Sequence, residues 1–443
     1  MFKKLLALCL AIFMVAALGV SLASCGNTEE GPTNGDDASN SPLPPVALNA
    51  DFELPEDFKV GFILLHDEDS TYDLNFYNAA LTVQETLGLS NDQVLFKMNI
   101  PESNACYDAA KELVEKGCDI IFADSFGHES FLKKAAEDYP NVQFCHATGT
   151  MAHTAGLDNF HNAFASIYEG RYLAGVAAGM KLNEMIANGK ITAEQAKMGY
   201  VGAFTYAEVI SGYTSFYLGA KSVCPSVTMD VQFTGSWYDE AKEKTAAIAL
   251  MDNGCVLISQ HADSMGAPTA CEERDVPNVS YNGSTVEACP DTFIVSSKID
   301  WAPYYMYMIK CVATGQQIAD DWCGDAKAGS VVLSDITTKA AAAGTVEKLT
   351  DVAAKIKAGE LHVFDVSTFT VTVVTEGEFT KNVNAKVDAN GHLTSYMADV
   401  DYDEAFAADT EVVADGYFHE SEYRAAPYFD LQIDGITLLN AEF

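Results

Sequence analysis

The chain lacks the short motifs that mark common catalytic and cofactor-binding sites. Its 443 residues contain no G-x-S-x-G, no H-E-x-x-H, no Walker loop and no dinucleotide-binding glycine fingerprint after a strand. The nine histidines are spread along the chain, and His146 and His153 have no cysteine or carboxylate partner at a metal-ligand spacing. We therefore expect no metal and no cofactor, and the sequence supports no enzyme.

Basic residues are scarce. Lys and Arg together number 26 against 63 Asp and Glu, which gives a formal net charge of −37 at pH 7. Such a surface repels a polyanion, so the composition argues against a nucleic-acid partner. The charge does not identify a ligand, because an acidic, solvated surface explains it equally well.

Long apolar runs are missing after the N-terminal region. No stretch of about 18 consecutive apolar residues follows residue 25, so no membrane-spanning helix is expected there. Before it, Lys3 and Lys4 precede a short apolar run over residues 5–20, which is the pattern of a secretory signal peptide. We expect export, with residues 1–24 absent from the mature protein.

The signal ends in Leu22-Ala-Ser-Cys25, which resembles the bacterial lipobox. That resemblance implies cleavage before Cys25 and diacylglycerol on its thiol, which would anchor the protein to the extracytoplasmic face of the cell membrane. A plain signal peptide with an incidental cysteine is the alternative. Residues 26–49 are rich in Gly, Asn, Ser, Pro and acidic residues, so we assign 25–56 to the lipidated cysteine and a flexible tether.

Cysteines number 11, with no C-x-x-C among them. Removing one with the signal and one for the lipid leaves an odd number, so at least one thiol is unpaired. Most are expected to be small buried apolar side chains. Two pairs are close enough in sequence to be considered as disulfides, Cys311 with Cys323 and Cys271 with Cys289.

An alternation of strand and helix patterns runs through the rest of the chain, and residues 119–149 show it best. The apolar run 119–124 predicts a buried strand, residues 129–138 have helical spacing, and a second strand begins at Val142. Ligands of an open α/β sheet bind beyond the carboxyl ends of its strands. The loop at 125–128 is therefore expected to face a ligand.

The alternation comes in two series that divide near residue 160, which predicts two doubly wound α/β lobes with a ligand cleft between them. We assign 57–157 plus about 285–335 to the first lobe and 158–284 to the second. Past residue 335 the pattern changes, so 336–443 is predicted to be a C-terminal extension with a partly β insertion at about 365–425.

Aromatic and polar side chains recur on the loops after the predicted strands. A flat heteroaromatic ring needs ring faces to stack on and a few directed hydrogen bonds at its edge, and these loops could supply both. Each aromatic residue taken singly could equally be a lid or a core filler. The candidate site residues are Tyr72, Asp124, Phe126, Phe204, Trp237, Asp263, Asn282 and Trp301.

Several longer runs resemble one known family. They are Ser125-Phe-Gly-His128, Tyr139-Pro-Asn-Val-Gln-Phe-Cys-His-Ala-Thr-Gly149, Tyr168-Glu-Gly-Arg-Tyr-Leu-Ala-Gly175, Gly199-Tyr-Val-Gly-Ala-Phe204, Ser236-Trp-Tyr-Asp239, Gln260-His-Ala-Asp-Ser264 and Trp301-Ala-Pro-Tyr-Tyr305. Together they cover about residues 58–335 and are similar to the basic membrane protein family. That family comprises lipoprotein substrate-binding components of ABC transporters, including purine-nucleoside receptors of the PnrA type.

The resemblance implies a periplasmic-binding-protein fold of the class I type, with a purine base or nucleoside in the cleft and permease subunits as partners. It implies stacking by Tyr72 and Phe126 from one lobe and by Phe204 and Trp237 from the other. Asp124, Asp263 and Asn282 would bond the edge of the base, and Trp301 would close the wall. Asn282 replaces the family's ribose-binding Asp, so a free base such as adenine is expected to bind at least as well as its nucleoside.

Two other functions remain open from the sequence. One is an exported enzyme similar to a nucleoside hydrolase, which would need an activating base or a metal cluster. The other is a lipoprotein that senses a different small solute instead of delivering one. The leading expectation is a monomeric, non-enzymatic receptor that closes its two lobes around the ligand.

Overall fold

The computed structural model describes residues 39–376, 380–400 and 409–440. The expected signal peptide and Cys25 lie outside these residues. The helices are α1 (Thr71–Leu87), α2 (Asn104–Glu115), α3 (Glu129–Asp138), α4 (Ala152–Ala155), α5 (Ile167–Ala187), α6 (Ala207–Val223), α7 (Glu240–Asp252), α8 (Gly266–Glu273), α9 (Ala302–Thr314) and α10 (Thr345–Lys357).

The strands alternate with these helices over most of the chain, which confirms the predicted α/β class. They are β1 (Val60–Ile63), β2 (Val94–Lys97), β3 (Ile120–Ala123), β4 (Gln143–Ala147), β5 (Phe160–Ala165), β6 (Lys197–Gly202), β7 (Thr228–Phe233), β8 (Leu257–His261), β9 (Asn278–Tyr281), β10 (Phe293–Ile299), β11 (Asp321–Gly324), β12 (Val331–Leu333), β13 (Ala385–Val387), β14 (Leu393–Ala398), β15 (Thr410–Glu411), β16 (Val413–Ala414), β17 (Tyr417–Phe418) and β18 (Ile436–Leu438).

Two large sheets organise the fold. The first has the order β11-β5-β4-β3-β1-β2 and is parallel throughout. The second has the order β12-β10-β9-β8-β6-β7-β18 and is parallel except for the β10–β12 pair. Alternate residues of β3 enter different apolar clusters, Ile120 and Phe122 one and Ile121 and Ala123 the other. Both faces of this strand are therefore covered, which explains its unbroken apolar run.

The strand pairing corrects the predicted lobe boundaries. β5 pairs with β4 and β11, so residues 160–165 belong to the first sheet and not to the second lobe. β10 and β12 belong to the second sheet, so only α9 and β11 of the segment 285–335 lie with the first. The chain thus crosses between the sheets three times, after residues 165, 299 and 324. The periodicity of the sequence identified the helices and strands, but it carries no information on which strands pair with one another in a sheet.

Glycines allow α5 and α6 to pack with their backbones in contact. A Cβ on Gly175 would lie 1.9 Å from the Phe216 carbonyl oxygen, and one on Gly219 would lie 2.0 Å from that of Tyr172. No side chain fits at either position. The small residues of α5 therefore serve helix packing within the second lobe.

The segment after residue 38 is docked rather than flexible, which corrects the predicted tether of 25–56 over its described part. The Asn40 side chain donates to the Ile336 carbonyl and accepts from its N–H, at 2.9 and 2.8 Å. Leu43 is buried, and its carbonyl accepts from the Leu333 N–H at 2.9 Å. These pairings replace the water that would solvate a free linker, so the segment becomes part of the fold beside β12.

Residues beyond 344 add α10 and two small antiparallel sheets, β13-β14-β15 and β16-β17. The chain then returns, and β18 extends the second sheet beside β7. The nine described cysteines are all free, so neither of the two considered disulfides forms. No helix in the described part of the chain is both long and apolar enough to cross a bilayer.

Candidate functional site

A cavity lies where the carboxyl ends of the strands of both sheets meet. It encloses about 380 Å³ not filled by protein atoms, part of it open to solvent. Parallel strands direct their following loops to one edge, so the lining comes from loops after β1, β3, β4, β7, β8 and β9 and from the start of α6. The lining residues are Leu65, His66, Tyr72, Asp73, Ser125, Phe126, Thr148, Glu208, Trp237, His261, Asp263 and Asn282.

The two lobes touch around this cavity. At the start of α1, the N–H and the hydroxyl of Thr71 both donate to the Asp263 carbonyl, each at 3.2 Å. Phe126 after β3 stacks on Tyr206 before α6, with ring centroids 5.1 Å apart and planes at 29°. The first contact joins α1 to the loop after β8. The second joins the loop after β3 to the segment before α6 at the rim of the cavity, so the structure shows a closed cleft.

Tyr72 forms one wall, and Trp301 lies behind it. The Tyr72 hydroxyl donates to the Asp124 carbonyl at 2.8 Å, and its ring meets Phe76 edge-on at 4.8 Å. Phe76 in turn stacks on Trp301 at 4.4 Å. Trp301 is 1% exposed and is not among the lining residues. Trp301 was expected to close the cavity wall. Its ring lies in the core instead, where it packs on Phe76 behind Tyr72.

Trp237 faces the cavity from the second lobe. Phe204 meets its ring edge-on at 5.0 Å and stacks on Tyr206 at 5.2 Å. Phe204 is not among the lining residues, and its ring packs behind Trp237 and against Tyr206. The three rings contact one another at this border, and Trp237 is the one of the three that lines the cavity.

The carboxyl that lines the cavity after β1 is Asp73, whereas Asp124 is buried behind it. One Asp124 oxygen accepts from the Leu65 N–H at 3.1 Å, and the carboxyl is hydrogen-bonded to that of Asp73. Burial raises the pKa of Asp124 well above its usual value, and the charge of Asp73 raises it further. Burial alone would raise the pKa of Asp73 too, but hydrogen bonds from His66 and Ser70 outweigh it and the pKa is lowered.

The pKa values of the two carboxyls are thus shifted in opposite directions, that of Asp124 upwards and that of Asp73 downwards, and Asp124 is not a lining residue. The edge contact expected of Asp124 is not made from the cavity lining, because its carboxyl lies behind that of Asp73. Its position directly after β3 identifies the right loop, but its side chain points under the loop towards Leu65.

Asp263 and Asn282 form a bonded pair in the wall of the second lobe. The Asn282 amide donates to the Asp263 carboxyl at 3.0 Å, from a left-handed backbone with φ of 65°. Burial raises the pKa of Asp263 well above its usual value, and the charges of Glu243 and Asp73 add to the shift. A neutral carboxyl both donates and accepts, so it can pair with a donor–acceptor edge of a ligand.

Glu208 and His261 are lining residues that the sequence interpretation missed. They face each other, with the His261 Nε2 and a Glu208 oxygen 3.4 Å apart. Burial lowers the pKa of His261, which keeps the imidazole neutral. His261 stood within the quoted Gln260–Ser264 run, so that run contained a signal for it. Glu208 lies on the first turn of α6, where nothing separates it from the many solvated carboxylates.

The electrostatics of the cavity limit what it can hold. Its lining contains three carboxyl side chains and no Lys or Arg. An anionic ligand would meet uncompensated negative charge in a poorly solvated site, which is costly. Within the described ranges, no group of three His, Cys, Asp or Glu side chains is arranged to hold a metal ion. The arrangement suits a flat, uncharged molecule that stacks between aromatic side chains and forms hydrogen bonds along its edge.

Comparisons with known proteins agree with this architecture. A family described as ABC transporter substrate-binding protein, PnrA-like, matches residues 63–366. A purine-binding protein of Brucella abortus is 32% identical over 311 residues, which cover 70% of this chain and 83% of that protein. A protein of Haloferax volcanii named as an ABC transporter glucose-binding protein is 33% identical over 217 residues, covering 49% of this chain and 52% of its own length.

A solved structure shows the same fold at lower identity. An ABC transporter solute-binding protein from Aeropyrum pernix superposes with a TM-score of 0.58 and 18% identity, over 69% of this chain and 93% of that one. This likeness confirms the two-lobed solute-binding fold. The family match spans well over half of the chain, and the Brucella relative is covered over most of its length. The chain therefore belongs to the Bmp family, the PnrA-like substrate-binding proteins of ABC transporters.

Proposed function

We propose that this protein binds a purine base or purine nucleoside between its lobes and delivers it to the permease of an ABC importer. The observation that carries the proposal is the pairing of ring faces with a polar edge in one cavity. Tyr72 and Phe126 line it from the first lobe and Trp237 from the second, with the bonded pair Asp263 and Asn282 beside them. The name of the Brucella relative supports the same ligand class.

The lining favours an uncharged purine over a nucleotide or a sugar. A nucleotide phosphate would need a cation or a free helix N-terminus. The lining residues include no Lys or Arg, and the two helix starts that reach the cavity carry the carboxyls of Asp73 and Glu208. Three aromatic side chains line this cavity from both lobes, which suits stacking on both faces of a flat ring. The Haloferax relative makes glucose the proper competitor in a binding test.

The proposed receptor does no chemistry on its ligand. Titratable groups of the lining are hydrogen-bonded to neighbouring side chains, as in the pair His261–Glu208 and in Asp263, which accepts from the Asn282 amide. Neither pair places a free base beside a hydroxyl or thiol nucleophile. Purified protein incubated with inosine or adenosine should release no free base. Turnover that a substitution in the cavity abolishes would replace this proposal with an enzyme.

Ligand identity is tested on the protein as purified. Mass spectrometry of the molecules released on denaturation should detect a purine. Calorimetry with adenine, guanine, adenosine, inosine, AMP, ribose and glucose should then rank the free base at least level with its nucleoside, with AMP far weaker. Binding of ribose or glucose without any purine would refute the assignment. Unchanged purine affinity in both Tyr72→Ala and Trp237→Ala would refute the residue assignment while sparing the family.

We further propose that the receptor acts as a monomer anchored outside the cytoplasmic membrane by lipid on Cys25. The support is the lipobox-like run at the end of the signal. Wild-type protein should partition into detergent and Cys25→Ala should appear in the soluble fraction. A Cys25→Ala protein that still requires detergent for extraction would contradict the lipid anchor.

A further inference from the structure

The hydroxyl groups around the cavity all donate to other groups of the protein. Three lining residues carry a hydroxyl. Those of Tyr72 and Thr148 donate to main-chain carbonyls, at 2.8 and 2.6 Å. That of Ser125 donates to the Glu102 carboxyl at 2.7 Å. A ligand carbonyl that needs a donor therefore finds none among these hydroxyls.

The three lining carboxyls differ in how many hydrogen bonds they accept from the protein. One Asp73 oxygen accepts from the His66 N–H at 2.7 Å, and the other accepts from the Ser70 hydroxyl at 2.6 Å. Asp263 accepts from the Asn282 amide at 3.0 Å. Asp73 is therefore engaged at both oxygens and Asp263 at one.

Glu208 is the lining carboxyl with the fewest contacts to donors of the protein. One of its oxygens lies 3.4 Å from His261 Nε2, and the other accepts no hydrogen bond from the described residues. Glu208 lies on the first turn of α6, where the positive end of the helix stabilises a carboxylate. Its side chain is 12% exposed, so the free oxygen is accessible from the cavity.

The charge of Glu208 acts on both sides of the cavity. Burial raises the pKa of the Tyr72 phenol, and the charge of Glu208 raises it further. Tyr72 belongs to the opposite lobe, so this interaction crosses the space between the lobes. Burial and then Glu208 also raise the pKa of Tyr281 in the second lobe. Glu208 is thus placed to accept a hydrogen bond from a ligand that stacks on Tyr72.

The edge of the ligand decides how such an acceptor discriminates. Stacking is tolerant, because every base has a ring face that an aromatic side chain can cover. An exocyclic amino group donates to a carboxyl oxygen in a hydrogen bond that the charge strengthens. A carbonyl at the same place turns its lone pairs towards that oxygen and leaves both groups unpaired. A free acceptor therefore separates amino from oxo analogues, which the ring faces do not.

We propose that Glu208 makes this cavity selective for purines with an exocyclic amino group. Adenine, guanine and 2,6-diaminopurine belong to this class, whereas hypoxanthine and xanthine carry only oxo groups. The inference rests on the proposed function and names the ligand class within it. Glu208 is then the specificity-determining residue, and the lining rings supply affinity that all purines share.

Calorimetry on the purified full-length protein tests the selectivity with these five bases and with unsubstituted purine, which has no exocyclic group. Adenine and 2,6-diaminopurine should bind about tenfold or more tightly than hypoxanthine and unsubstituted purine, the difference that one hydrogen bond to a charged acceptor makes. The side chain in Glu208→Gln offers a donor as well as an acceptor. The ratio of adenine to hypoxanthine affinity should therefore fall to less than about threefold in this variant.

Glu240→Gln is the matched control. Glu240 also lies on the first turn of a helix, α7, but it is exposed and outside the lining. This variant should keep the wild-type ratio of adenine to hypoxanthine affinity. A ratio that falls equally in Glu240→Gln would show a general effect of charge and would overturn the role of Glu208.

The other outcomes separate this proposal from the proposed function. Hypoxanthine or xanthine that binds the wild type as tightly as adenine would overturn the selectivity and leave the purine receptor intact. Adenine and hypoxanthine that weaken by the same factor in Glu208→Gln would show a structural role for the residue and would also overturn it. If no purine binds the wild type, the proposed function fails, and the selectivity fails with it.

Discussion

The stacked pair Phe126–Tyr206 should hold the closed cleft shut. The two rings come from different lobes, so they touch only when the lobes are closed. They are 37% and 40% exposed, so the pair sits at the rim. An aromatic pair contributes about 0.5–1.5 kcal/mol beyond its buried area. Losing it should speed ligand release about two- to twelvefold, because about 1.4 kcal/mol corresponds to a factor of ten.

A double-mutant cycle isolates this contribution. Phe126→Leu, Tyr206→Leu and the double variant are compared by stopped-flow association and dissociation of the purine that binds most tightly. We expect the association rate to stay constant, since ligand enters the open form. The effects of the two single substitutions on the dissociation rate should be non-additive, and their coupling free energy should equal the contribution of the ring pair. Tyr423→Leu removes an equally exposed ring far along the chain and should change neither rate. Fully additive effects would show that the pair does not stabilise closure.

Three further predictions concern the lining residues Trp237 and Asp263 and the buried Glu243, which lies outside the lining. Trp237→Leu should weaken purine binding about ten- to a hundredfold. Trp237→Phe should keep most of the affinity. Trp322→Leu, which removes a ring outside the cavity, should leave the affinity unchanged. Asp263→Ala leaves the Asn282 amide unpaired and should lower purine affinity about tenfold. Asp263→Asn should lower the affinity less. Equal losses of affinity for the two variants in calorimetry would refute this prediction. Burial raises the pKa of Glu243 to about 7, so its contribution to stability is full below an unfolded pKa of about 4.3 and is lost as pH rises to 7. In urea unfolding, the free energy of unfolding of Glu243→Gln should rise relative to that of the wild type by up to about 3 kcal/mol between pH 5 and pH 8. A difference between the two proteins that stays constant with pH would contradict this prediction.

Element type was predictable from the sequence because it depends on local periodicity. The helix expected at 129–138 is α3, and the strand expected before it is β3. Strand partners were not predictable in the same way. β5 and β10 were assigned to the wrong lobes because each is followed by a chain crossing between sheets, and an apolar run reads the same in either sheet.

The candidate site was predictable to the level of loops. Tyr72, Phe126, Trp237, Asp263 and Asn282 all line the cavity, as residues after parallel strands should. Of the other three candidates, only Asp124 sits on a lining loop, and its side chain points towards Leu65. Phe204 follows β6 and Trp301 follows β10, and neither reaches the cavity lining. Position after a strand fixes where a residue is and leaves the direction of its side chain to packing, which no single sequence pattern encodes.

The most distinctive family run, Tyr168–Gly175, serves the architecture and not the ligand. Its Arg171 is fully buried, and the guanidinium donates to Tyr200, Ser259, Ser280 and Ser297. Those four residues stand on β6, β8, β9 and β10, so one side chain ties together the central strands of the second sheet. A buried charge of this kind can be lost only at a large cost, so such a run reports the fold. Ligand choice rests instead on the loops around the cavity, and it must be argued from them even where family membership is shown.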